Sequence, residues 1–79
     1  MKKVVVWTIA DCVYCDNLKE WLRGRRIPYD EKMIGVGDAL WVELDRKMGG
    51  RLRGVPVVEV DGELIEGFDL DKMEGLFKD

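Results

Sequence analysis

Cys12 and Cys15 are the only two thiols in a chain of 79 residues that contains no histidine. Without histidine the usual general base and the commonest metal ligand are both missing. Cys–His proteases, His-based hydrolases and Cys–His zinc fingers are therefore excluded. What two neighbouring thiols can do unaided is exchange with a disulfide. One thiolate attacks a disulfide sulfur and forms a mixed disulfide. The second thiol then displaces it and closes an internal bridge.

The spacing Cys12-Val13-Tyr14-Cys15 gains weight from its surroundings. Residues 3–8, Lys-Val-Val-Val-Trp-Thr, form a continuous apolar and β-branched run, the pattern of a strand buried on both faces. From Val13 to Arg23 the period becomes helical, with Leu18, Trp21 and Leu22 on one face. The pair thus falls where a strand ends and a helix begins, the context in which C-x-x-C is a redox motif. Unpaired N–H groups and the positive end of the dipole favour thiolate at that end. Such sites bring a thiol from about 8.5 down to roughly 3.5–7.5. Cys12 is then expected to be the exposed catalytic nucleophile. Cys15, one turn later, is the buried catalytic partner that resolves the mixed disulfide. Two blander readings stand beside this one. A cysteine-only zinc site needs four ligands and so a dimer of this chain. Two inert core cysteines would be poorly placed beside Asp11 at a helix start.

The remaining elements follow from periodicity and turn chemistry. Gly24 is expected to stop the first helix, helped by Arg23 and Arg25 at its carbonyl end. Ile27–Met33 reads as a charged edge strand with Pro28 near its start. Asp38 is a candidate cap for a helix over Ala39–Met48 that presents Leu40, Trp41, Leu44 and Met48 on one face and ends at Gly49-Gly50. Val55–Val60 and Glu63–Glu66 read as strands joined by Asp61-Gly62, the strongest short hairpin signal. Asp69 is expected to cap a last helix with Leu70, Met73, Leu76 and Phe77 facing inward. The order β-α-β-α-β-β-α makes the first two strands parallel and the last two antiparallel. The expected fold is α/β, a thioredoxin-like mixed four-stranded sheet flanked by three helices, in one domain over residues 1–79.

Composition limits the partners. The chain carries 13 basic and 16 acidic residues, net charge −3, with no basic stripe, so no nucleic-acid partner is expected. Arg23, Arg25 and Arg26 read as the polar end of a helix. No stretch reaches the ~20 apolar residues of a membrane span. The opening Met-Lys-Lys-Val-Val-Val-Trp is too short an apolar run for a signal peptide. A cytoplasmic, complete, monomeric chain working in the reducing direction is expected. Trp7, Trp21 and Trp41 are expected in or beside the core.

Three separated pieces resemble the glutaredoxin family, most closely its short phage and archaeal-type members. Cys12-Val13-Tyr14-Cys15, followed by Asp16-Asn17-Leu18-Lys19, resembles the family's C-P-Y-C, and C-V-Y-C itself occurs in phage members. Gly54-Val55-Pro56-Val57 resembles the T-V-P element. Glu66-Gly67-Phe68-Asp69 resembles the G-G-x-D element. The resemblance spans essentially the whole chain. It implies a disulfide oxidoreductase with no bound cofactor or metal and with glutathione as reducing co-substrate.

The resemblance also assigns roles. Pro56 carries a cis peptide bond after Val55, whose backbone pairs with the peptide part of glutathione. Gly67 allows close backbone approach. The N–H groups of Phe68 and Asp69 hold the γ-glutamyl carboxylate. Tyr14 flanks the bound sulfur. Many family members place a Lys shortly before the first cysteine, where this chain has Thr8-Ile9-Ala10-Asp11; Arg51 or Arg53 could supply that charge. Asp11 and Glu66 add negative charge instead, and Val13 replaces Pro. The departures keep a second electron donor open, a thioredoxin reductase, for a mini-thioredoxin that serves disulfide-containing proteins such as ribonucleotide reductase. A dimeric zinc or iron–sulfur binding module is the alternative of another class.

Overall fold

The computed structural model describes residues 2–35, 37–52 and 54–77. Seven elements follow in order: β1 (Val4–Thr8), α1 (Val13–Gly24), β2 (Asp30–Met33), α2 (Ala39–Lys47), β3 (Val57–Val60), β4 (Glu63–Glu66) and α3 (Leu70–Leu76). The strands form one sheet in the order β2-β1-β3-β4. β1 runs parallel to β2 and antiparallel to β3, and β3 and β4 form the hairpin. Asp61 and Gly62 both take positive φ, 50° and 91°, as the tight hairpin turn requires. This is the mixed four-stranded sheet with three helices that the element order implies.

β1 explains the architecture. All five of its residues are buried, and successive side chains go to opposite faces. Val4 and Val6 join Val58, Val60 and Ile65 under Leu18 and Leu22 of α1 and Met73 of α3. Val5 and Trp7 join Val57 and Ile34 against Leu44 of α2. A continuous apolar strand is the sequence signature of these two covers. Each fully buried Leu or Val side chain contributes about 1.5–3 kcal/mol. Trp7 is fully buried, and the ammonium groups of Lys32 and Lys47 stand 4.6 and 5.8 Å from its ring centre.

Helix α1 ends at Gly24, as expected, but the left-handed residue that closes it is Arg26, φ 57°. The N–H of Ile27 donates to Leu22 carbonyl at 2.9 Å and that of Arg26 to Arg23 carbonyl at 3.0 Å, a Schellman closure. β2 begins at Asp30 rather than Ile27. The Ile27 N–H is already spent on α1, and Pro28 has none to give. β3 begins at Val57 rather than Val55, since Pro56 has no N–H to give to the ladder; the Val55–Pro56 peptide is cis. Leu70 is exposed rather than inward. Phe68, just before the cap, packs against the α1–α3 side of the core in its place.

Candidate active site

Cys12 is the N-cap of α1, with extended backbone. Its carbonyl accepts from the Asp16 N–H at 3.1 Å, the first bond of the helix. Its sulfur accepts from the Cys15 N–H, also at 3.1 Å, filling the place that a Ser or Asp oxygen usually takes at such an end. The two sulfurs are at bonding distance, with the Cα atoms 5.2 Å apart. Cys15 is 1% exposed, whereas Cys12 is only half-buried. Asp11 enters the turn with φ 57°. That region is open to glycine and, among other residues, mainly to Asn and Asp. It lets the chain reverse from β1 into α1.

The sheet register brings the other sequence pieces to the same end. Trp7 pairs with Val57, and Val57 with Glu66. Val55 and Pro56 therefore enter, and Gly67 leaves, beside the end of β1 from which Cys12 follows. The Gly67 N–H donates to the Pro56 carbonyl at 2.7 Å, with Gly67 at φ 70°. Asp69 caps α3, its Oδ1 accepting from the Lys72 N–H at 3.2 Å. Tyr14 projects from the first turn of α1 and is largely exposed. Cys12, Cys15, Tyr14, Val55, Pro56, Gly67, Phe68 and Asp69 thus converge on one end of the sheet. Arg53 lies outside the described residues. Among the described residues no cluster of three or more potential ligands could hold a metal ion.

One group beneath this end is invisible in the sequence. The Thr8 hydroxyl donates to Glu31 Oε2 at 2.7 Å, and Lys19 Nζ donates to the same oxygen at 3.0 Å. Lys19 also lies 3.6 Å from Asp16 Oδ1. The Thr8 hydroxyl and the Lys19 ammonium hold the Glu31 carboxyl below its ordinary range. The hydrogen bond to Glu31 raises the Lys19 ammonium, against a smaller opposing effect of desolvation. The end of β1, the redox helix and β2 are tied together by one carboxylate. Lys19 and Glu31 read as surface polar positions and Thr8 as the end of a buried strand, and only the 3.6- and 2-residue periods of α1 and β2 taken together could have hinted at the contact.

Comparison with known proteins agrees with this geometry. The Glutaredoxin family model matches residues 4–65, so the Glu66–Asp69 piece lies just outside the matched segment. An uncharacterised glutaredoxin-like 8.6 kDa protein from the rubredoxin operon of Clostridium pasteurianum is 24% identical over 75 residues, covering 95% of this chain and 97% of its own. The thioredoxin-like protein BC3987 superposes with TM-score 0.77 at 29% identity, covering 95% of this chain and all of its own. Glutaredoxin 1 from Francisella tularensis, solved with cacodylate, gives TM-score 0.71 at 27% identity, covering 95% and 93%. The family works with reductants and disulfide substrates and needs no bound cofactor, and a Cys12–Cys15 pair at bonding distance in this fold supports thiol–disulfide oxidoreductase chemistry. The chain belongs to the glutaredoxin family, with a thioredoxin-like fold.

Proposed function

We propose that this protein reduces protein or glutathione mixed disulfides through a Cys12–Cys15 dithiol couple, as a single-domain cytoplasmic monomer with glutathione as reducing co-substrate. The Cys12 thiolate attacks one sulfur of the substrate disulfide and expels the other as a thiolate. Cys15 loses its proton and attacks Cys12 Sγ. The substrate leaves fully reduced, two electrons pass to it, and the Cys12–Cys15 bridge remains. Two glutathione molecules return the electrons and become glutathione disulfide. The observation that carries this reading is the Cys15 N–H donating to Cys12 Sγ at the start of α1. The same donor stabilises a thiolate there once the bridge opens.

The substrate-side roles rest on the family resemblance and on convergence at one end of the sheet. Val55 and cis-Pro56 offer backbone to the substrate, Gly67 permits close approach, the N–H groups of Phe68 and Asp69 hold a carboxylate, and Tyr14 flanks the sulfur. Arg53 supplies a cation. A second reading, reduction by a thioredoxin reductase, is favoured by exposed Asp11 beside Cys12, where an anionic tripeptide would meet repulsion. Two coupled assays with one small disulfide separate the donors. One follows NADPH oxidation with glutathione and glutathione reductase, the other with thioredoxin reductase alone. Turnover in the first alone establishes glutathione as donor, and turnover in the second alone establishes the flavoprotein. Equal rates for wild type and Cys12→Ser in both overturn the dithiol mechanism.

A further inference from the structure

The redox tetrapeptide is bracketed by two carboxylates in the run Asp11-Cys12-Val13-Tyr14-Cys15-Asp16. Asp11 is exposed and makes no hydrogen bond or ion pair among the described residues. The Asp16 side chain is 70% exposed. The nearest cation, Lys19, is 14% exposed and gives its hydrogen bond to Glu31, lying 3.6 Å from Asp16. Between the two carboxylates, Val13 and Tyr14 are 69% and 68% exposed, and Ile9 in the preceding turn is 37% exposed. Half of the large exposed apolar side chains among the described residues therefore lie within six positions around the half-buried Cys12 sulfur. Whatever delivers a disulfide to that sulfur must cover an apolar patch and approach between two carboxylates that flank the redox tetrapeptide, one of them unpaired among the described residues. Such charges attract or repel the encounter before any contact forms, and salt screens the effect.

From this we infer that the Cys12 face selects disulfides carried on cationic, partly apolar peptide segments, with Asp11 and Asp16 as the specificity-determining residues. Val13 and Tyr14 supply the apolar contact, and the two carboxylates pair with Lys or Arg side chains flanking the substrate cystine. Anionic disulfides react at the same sulfur but approach it against the field. This rests on the disulfide-exchange reading above and adds to it the charge of the substrate.

The test uses pre-reduced protein in single turnover, so that no electron donor is needed. The probes are disulfide dimers of two capped pentapeptides, Lys-Gly-Cys-Gly-Lys and Glu-Gly-Cys-Gly-Glu. Second-order rate constants are taken from acid-quenched samples and divided by those of dithiothreitol on the same peptides, which removes their intrinsic reactivity. Two like-signed charges near the reacting sulfur give an expected preference for the lysine peptide of about tenfold at 10 mM ionic strength, falling to about threefold at 150 mM. In the double variant Asp11→Asn, Asp16→Asn the ratio falls to near one. Asn tolerates the left-handed backbone at position 11, and the ratio cancels any change in the reactivity of Cys12 itself. Equal rates for the two peptides at low salt overturn the charge selection and leave disulfide exchange standing. A preference that survives in the double variant overturns the assignment to Asp11 and Asp16. Reaction with neither peptide overturns the disulfide-exchange reading, and the inference with it.

Discussion

The N–H of Cys15 points at the sulfur of Cys12 across 3.1 Å, from a residue that is itself sealed from solvent at 1% exposure. The pair is therefore asymmetric. One sulfur is capped by a helix donor and half-open, and the other is packed beneath the first turn. On the proposed mechanism an incoming disulfide meets the first, and the second finishes the exchange. Cys15→Ser is expected to stop halfway. Mixed with a protein or small disulfide, it should gain the mass of one substrate half at Cys12, visible by mass spectrometry and reversed by dithiothreitol. Cys12→Ser should gain nothing on the same timescale. An adduct forming at Cys15 in Cys12→Ser, as fast as at Cys12 in Cys15→Ser, would reverse the assignment of the two thiols.

The end of α1 gives a prediction of opposite sign. Arg26 holds φ 57°, a conformation that costs a residue with a Cβ about 1–2 kcal/mol. Gly24 is helical and has open space where a Cβ would sit. The two residues stand in each other's preferred places. Arg26→Gly should stabilise the fold by about 0.5–1 kcal/mol, since part of the relief is offset by the freer unfolded chain. Gly24→Ala should stabilise it by about 0.5–1 kcal/mol. Urea midpoints would check both, and a loss of stability in Arg26→Gly would mean that the arginine side chain contributes more there than its backbone costs.

Leu18 and Leu44 cover opposite faces of the sheet, each fully buried. Truncating either to Ala should cost about 2–5 kcal/mol. A domain of this size holds about 0.05–0.15 kcal/mol per residue in total, so either variant should be close to unfolding at 37 °C by circular dichroism. Leu18 lies on α1 one turn beyond Cys15, and Leu44 on the helix across the sheet. At 10 °C, with both variants folded, Leu18→Ala should slow disulfide exchange more than Leu44→Ala does. Equal slowing would show that the redox helix is not held by its own packing.

The parts of this fold that were legible are those written in local patterns. The unbroken run Val4–Trp7 declared a strand covered on both sides, Asp38 declared a helix start, and Asp61-Gly62 declared a hairpin. The redox pair was legible for the same reason, because a strand end, a helix start and C-x-x-C are adjacent in the chain. The shortened β2 and β3 were not legible. Their first residues are apolar and β-branched, but Ile27 spends its N–H closing α1, and Val55 is followed by Pro56, which has no N–H for the ladder. Arg26 in the left-handed region defeats composition outright, since Gly24 stood two positions away. Leu70 lost its inward place to Phe68, a competition decided by packing and not by period.

Glu31, Lys19 and Thr8 form the feature furthest from sequence patterns, and the pH dependence of stability should report it. The folded-state pKa of Glu31 is depressed by the Thr8 hydroxyl and the Lys19 ammonium. Its contribution is then complete above the pKa of the unfolded carboxyl and is lost as pH falls through the lower folded value. Lys19 is raised, first by its hydrogen bond to Glu31. Its contribution is complete below the unfolded lysine value and lost as pH rises through the higher folded one. Between those limits Glu31→Gln should cost about 1–2 kcal/mol, because it removes the charge from a partly buried pair with a 2.7 Å hydroxyl bond. For a chain of this length that is a drop of roughly 4–8 °C in Tm per kcal/mol. The gap between wild type and Glu31→Gln should close as pH falls below the carboxylate range. Glu74→Gln, which breaks the Arg25–Glu74 pair whose side chains are 48% and 49% exposed, should shift stability by less than about 1 kcal/mol at every pH. If the Glu31 variant lost no more stability at neutral pH than the Glu74 variant, the carboxylate would not be tying β1, α1 and β2 together.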